Sequence, residues 1–186
     1  TGTIDLLGGN AAITINASTA ADIRTIFEAE VSSGGNGFLD TGLADAIVTI
    51  TDTNPSAEDL AFIRANTTGV LTITTATRIT GLLANVNTIL ADSGTNITGE
   101  GSEFVTLTDA TISASALATL LVDGAGLTDK TVTIQASSIT GNAAEVKAIL
   151  SDSYGGVPGG LVKQHDVDNG NNGSTTVVGL EGINVT

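Results

Sequence analysis

The densest run of ligand-type side chains in this chain is His165-Asp166-Val167-Asp168-Asn169-Gly170-Asn171-Asn172-Gly173. Hard divalent cations take oxygens from carboxylates, amides and carbonyls, set at alternate positions around a glycine that permits a sharp turn. Asp166, Asp168, Asn169, Asn171 and Asn172 are therefore the candidate Ca2+ ligands, and calcium is the one cofactor the sequence invites. The fit to an EF-hand loop is partial. Counted from Asp166, the fifth position is Gly170 and the twelfth Val177; counted from Asp168, the third is Gly170 and the twelfth Gly179. Both registers lack the closing bidentate Glu. A polar turn, or a site completed by a neighbouring subunit, fits the same residues.

Other chemistry finds little purchase. His165 is the only His and there is no Cys, so a general base or thiolate site has few partners to draw on. No Gly-x-Ser-x-Gly elbow is present. The glycine runs Gly34-Gly35-Asn36-Gly37 and Gly155-Gly156-Val157-Pro158-Gly159-Gly160 lack the Gly-Lys of a phosphate loop. Aromatics are 3% of the chain, too few to stack sugars beside a carboxylate pair. The expectation is a protein that is not an enzyme.

A second arrangement with chemical content is a row of hydroxyls. The pattern apolar–Thr–apolar occurs at Ile13-Thr14-Ile15, Val48-Thr49-Ile50, Leu71-Thr72-Ile73, Val105-Thr106-Leu107 and Val132-Thr133-Ile134. With the apolar pair facing a core, period-2 alternation turns Thr14, Thr49, Thr72, Thr106 and Thr133 to the opposite face. Across a parallel sheet they would stand about 4.8 Å apart as an exposed row. Exposed Thr suits an ordinary strand. A regular hydroxyl lattice would suit ice or mineral, where ranks take the form Thr72-Ile73-Thr74.

The elements that must carry these residues repeat. Successive triplets begin 35, 23, 34 and 27 residues apart, by subtraction of 13, 48, 71, 105 and 132. Long steps alternate with short, as in stacked supersecondary units. After the triplets come apolar sets at i, i+3, i+4: Ile23/Ile26/Phe27, Val86/Ile89/Leu90, Leu117/Leu120/Leu121 and Val146/Ile149/Leu150, with Leu60/Ile63 a partial copy. Thr19-x-x-Asp22, Ser56-x-x-Asp59 and Asn142-x-x-Glu145 place a capping side chain three residues before a carboxylate. Two unit types alternate. Those starting at Leu71 and Val132 share an Ile-Thr-Gly turn (Ile79-Thr80-Gly81, Ile139-Thr140-Gly141) and resemble the one at Ile13; those at Val48 and Val105 lack the turn.

Helix crossovers between strands of one sheet imply parallel pairing and right-handed winding. The expected fold is therefore α/β: a right-handed β/α solenoid, shaped like a leucine-rich-repeat coil, with about five strand–helix units and a parallel sheet. Residues 1–155 form this solenoid, with an N-terminal edge strand around Ile4-Asp5-Leu6-Leu7. Residues 156–186 form a glycine-rich linker and a C-terminal cap or docking arm, with strands expected over Thr175–Val178 and Gly182–Thr186.

Composition bounds the partners. Twenty acidic against 6 basic side chains give a formal charge of -14, which repels nucleic acid and anionic lipid. No hydrophobic run approaches the roughly 18 residues of a membrane span. The absence of Cys and Met, with abundant Asp, Thr, Asn and Gly, fits an extracellular protein and a mature or excised piece. The aliphatic content is too high for a disordered class.

These strands, Ile-Thr-Gly turns and Ala-rich helices resemble repeats in very large secreted proteins of cyanobacteria and other marine bacteria. The resemblance is carried by Leu71–Thr98, Val105–Leu121 and Val132–Leu150, with Ile13–Phe27 a looser copy, and covers roughly residues 12–155. It implies a surface-layer, adhesive or motility-associated role, often beside hemolysin-type calcium-binding segments, whose nonapeptide is missing from this sequence. It implies no catalytic residue. The first expected function is a structural protein of an extracellular layer, sheath or filament, a homo-oligomer or polymer associating through solenoid ends or faces. An adhesin or phage fibre module that binds a glycan or protein surface is the alternative, and ice binding a third.

Overall fold

The computed structural model describes residues 14–32, 43–99, 104–123, 131–150, 165–168, 174–178 and 184–185. They form a mixed α/β fold of five helices and three small sheets, in which every strand pairing but one is parallel and no sheet closes into a barrel. The helices are α1 (Ala20–Ser32), α2 (Ala57–Asn66), α3 (Leu83–Ala91), α4 (Ala114–Asp123) and α5 (Ala143–Leu150). Each packs on the next in chain order, α3 against α4 least extensively.

Sheet A runs β1 (Thr14–Ser18), β2 (Ile47–Ile50), β3 (Leu71–Ile73), β5 (Ile97–Thr98). Sheet B begins on β4 (Arg78–Gly81) and adds β6 (Phe104–Leu107), β8 (Thr131–Ile134), β11 (Ser174–Val178) and β10 (His165–Asp168). Sheet C holds β7 (Thr111–Ser113), β9 (Ser138–Thr140) and β12 (Asn184–Val185). The core lies between sheets and helices. Val48, Ile50, Leu71, Ile73, Val105, Leu107 and Val132 meet Leu60, Ile63, Val86, Ile89, Leu117, Leu120 and Ile149, all buried. Alternation along the four triplets from Val48 onward puts their two apolar residues on this inner face, as expected.

Where their side chains are described, the helix sets expected from the sequence are buried with one exception. Ile26 is 41% exposed, whereas Ile23 and Phe27 of the same set are buried. Among the described helices, α1 packs chiefly on α2. All three capping side chains bond to their helix starts as read, and at Asn142 the carboxylate completes a reciprocal capping box. Thr19 accepts from the Asp22 N–H and donates to its carboxylate (3.1 and 2.7 Å). Asn142 accepts from the Ala144 and Glu145 N–H groups, while its own N–H donates to Glu145 Oε2 (2.9 Å). Ser56 caps α2, but Asp59 accepts from Arg24.

The five triplets do not stack as one sheet. In sheet A, Val48, Thr49 and Ile50 pair with Leu71, Thr72 and Ile73; in sheet B, Val105, Thr106 and Leu107 pair with Val132, Thr133 and Ile134. The break has a local cause. Ile97-Thr98-Gly99 is a further Ile-Thr-Gly, and β5 takes the place on β3 where the next triplet was expected. Gly99 has φ +81°, and a Cβ there would lie 2.5 Å from the Ile73 carbonyl oxygen, so only glycine permits this close turn. Displaced along its turn, the triplet at Val105 pairs instead with Ile79-Thr80-Gly81, whose apolar–Thr alternation matches it. The N-terminal edge strand expected around residues 4–7 lies outside the described residues.

Candidate functional site

Among the described residues, carboxylates meet backbone N–H groups where helix N-termini approach the next strand–helix segment. A helix start leaves backbone N–H groups unpaired and a partial positive charge. In α1 the first N–H, of Ala20, donates to Asp52 Oδ2 at 2.6 Å; in α3 the first N–H, of Leu83, donates to Asp109 Oδ2 at 2.7 Å. Both carboxylates stand one threonine beyond a triplet, in Val48-Thr49-Ile50-Thr51-Asp52 and Val105-Thr106-Leu107-Thr108-Asp109, and both belong to units without the expected Ile-Thr-Gly turn. Read from sequence alone they look like solvated turn residues. The recurring Thr-Asp after the triplet is the signal that sets them apart.

The opposite seam works by close approach. A Cβ on Gly81 would lie 2.7 Å from the Ala57 Cβ, and one on Gly141 would lie 2.7 Å from the Ala114 Cβ. Ala57 and Ala114 open the helices of the Thr-Asp units. Gly81 and Gly141 thus let these two Ile-Thr-Gly turns settle on the helix before each of them. Two unit types therefore meet through two different contacts, a carboxylate cap and a glycine–alanine step.

Arginines bind neighbouring helices at their flanks. Arg24 on α1 reaches Glu28 (2.7 Å), and Glu58 (3.0 Å) and Asp59 (2.9 Å) on α2, and its guanidinium lies 5.0 Å from the Phe62 ring centroid. Hydrogen bonds to Glu28, Glu58 and Asp59 push its pKa above the ordinary guanidinium value, so it stays charged. Arg64 on α2 joins Asp92, the residue capping the end of α3, at 2.6 Å.

The expected hydroxyl row divides. Thr49, Thr72 and Thr98 are in register in sheet A, whereas Thr80, Thr106 and Thr133 are in register in sheet B. Thr14 stands opposite Ile47, out of step with Thr49. Thr49, Thr72 and Thr133 are half-buried, and the Thr72 and Thr98 hydroxyls bond to each other at 3.2 Å. Thr106 corrects the expectation of exposure: it is 2% exposed, and its hydroxyl has no partner among the described residues. Thr-x-Thr is also commoner than Thr72/Thr74, since Thr49/Thr51, Thr106/Thr108 and Thr131/Thr133 share it.

Of the candidate calcium ligands, Asp166 and Asp168 lie on β10, opposite Thr176 and Ser174 of β11. Asn169, Asn171 and Asn172 lie outside the described residues. Among the described residues no three His, Asp or Glu side chains gather as a metal site, and no helix is long and apolar enough to cross a membrane. A shallow cleft of about 300 Å³ lies at the starts of α2 and α3, bordered by Asn54, Glu58, Thr80, Asn85 and Thr108 with Leu82 at its edge.

Compared with protein-family models, curated proteins and solved structures, the chain matches none.

Proposed function

We propose that this chain is a non-enzymatic structural protein, a β/α solenoid of about five strand–helix turns that self-associates in an extracellular layer, sheath or filament. The observation that carries the reading is the repeated stitching of turn to turn: Asp52 on Ala20 and Asp109 on Leu83, alternating with Gly81 on Ala57 and Gly141 on Ala114. Such coupling gives a stiff rod in which each turn supports its neighbours. The acid excess keeps the rod soluble and away from nucleic acid. Extracellular placement rests on the sulfur-free, Asp- and Thr-rich composition.

The test is light scattering after size exclusion across a concentration series, with electron microscopy of the same samples. Ordered oligomers or filaments are expected. A monomer at every concentration would sink the assembly reading. The cleft between α2 and α3 favours a second reading, a binding module for a neutral polyhydroxyl ligand such as a glycan. Its polar rim of Asn54, Asn85, Thr80 and Thr108 offers hydrogen bonds without a free positive charge. Glycan-array binding that is lost in Asn85→Leu is the outcome that would support it.

A further inference from the structure

We infer that the β10–β11 hairpin is a stop built into the stack, which closes sheet B against a second copy of this chain. The inference rests on the assembly reading for its setting but not for its test. β11 occupies the place of a further turn: Val177 pairs with Val132 in parallel, opposite the edge on which Val105 pairs with the same residue. β12 does likewise in sheet C, Asn184 pairing with Ser138 as Thr111 does from the other side. The segment thus supplies the strands of another turn.

β10 then reverses the direction. It pairs antiparallel with β11 from His165↔Val177 to Asp168↔Ser174, and it is the outermost strand of sheet B. A further strand in the direction of β8 and β11 would lie antiparallel to β10, so the parallel ladder that joins the segments of sheet B ends at this strand. An unprotected edge is a template for another chain, and charged residues on an edge strand discourage such pairing. β10 reads His-Asp-Val-Asp, with Asp166 and Asp168 at alternate positions of a four-residue strand. A short, acidic edge strand meets two conditions for blocking growth, and its reversal ends the parallel ladder. It also makes the C-terminal segment a cap rather than a docking arm.

The test uses the full chain, the double variant Asp166→Thr/Asp168→Thr, and a variant lacking residues 165–168. Threonine retains strand preference while removing the charges. At equal concentration, both variants are expected to show a weight-average mass at least about twofold above the parent, with particles lengthened along the stack. Folded variants, by circular dichroism, that match the parent in mass and particle length would overturn the stop. If the deletion fails to fold, the double variant decides. The parent's own state bears on the assembly reading alone, because the stop is judged only by change relative to the parent.

Discussion

Asp52 and Asp109 show how little sequence a contact between neighbouring strand–helix segments requires. Each spends one carboxylate on the first N–H of an earlier helix, 32 residues back for Asp52 and 26 for Asp109, and each is reached only because the strand before it is in register. Loss of a helix N-terminal cap costs about 0.5–2 kcal/mol. For a chain of this size, 1 kcal/mol corresponds to about 2–4 °C in Tm. Asp109→Ala is therefore expected to lower Tm by several degrees, and Asp109→Asn by much less, since the amide oxygen can still accept. Equal losses in the two variants, measured by calorimetry, would remove the hydrogen bond from the account. Thr106 predicts the opposite sign. Its buried hydroxyl lies in a sheet between Thr80 and Thr133 without a partner among the described residues, and a buried unpaired hydroxyl costs about 1–3 kcal/mol. Thr106→Val replaces it with a methyl and is expected to raise Tm; a fall would mean that the hydroxyl is paired.

At the scale of elements, the glycine–alanine step is the contact that lets an Ile-Thr-Gly turn follow a helix. Gly81→Ala places a methyl 2.7 Å from the Ala57 Cβ, an overpacking that costs about 1–3 kcal/mol. Adding Ala57→Gly should return part of that loss, so a double-mutant cycle is expected to give a coupling of about 0.5–3 kcal/mol. Additive effects would mean that the two residues do not meet. The helices themselves are legible in the sequence, because an apolar set at i, i+3, i+4 and its cap are local properties. Val86/Ile89/Leu90 and the Asn142–Glu145 box need no knowledge of any neighbour. Strand partners are not legible in the same way. Ile79-Thr80-Gly81 and Val105-Thr106-Leu107 carry one alternation, so either a triplet or an Ile-Thr-Gly can pair with either. The choice falls to Ile97-Thr98, which reaches β3 first along the chain and shifts the next triplet onto β4. Asp52 and Asp109 escape sequence reading for a related reason, since a capping carboxylate from another turn has no fixed spacing from its helix.

For the molecule as a whole, that shift makes sheet B the splice between two halves. The strands of sheet A all precede residue 99, those of sheet C all follow residue 110, and among the described residues only sheet B pairs a strand from before residue 99 with strands from after it. The helix layer helps least at the same place, where α3 meets α4. The β4–β6 ladder should then decide whether the halves open together. At its two ends, the Phe104 N–H donates to the Thr77 carbonyl (2.9 Å) and the Thr108 N–H to the Gly81 carbonyl (3.0 Å). Both side chains are exposed, Phe104 at 47%, so proline at either site removes a ladder bond without emptying the core. Each lost bond costs about 0.5–1.5 kcal/mol. In Phe104→Pro/Thr108→Pro, hydrogen exchange is expected to divide at the splice, with α4 and α5 opening at a lower free energy than α2 and α3. A matched change inside sheet A, Thr74→Pro, removes the bond from the Thr74 N–H to the Ile50 carbonyl (3.2 Å) and leaves the splice intact. It should lower stability without dividing the exchange pattern. If both variants lose protection evenly along the chain, the halves are coupled by something other than sheet B.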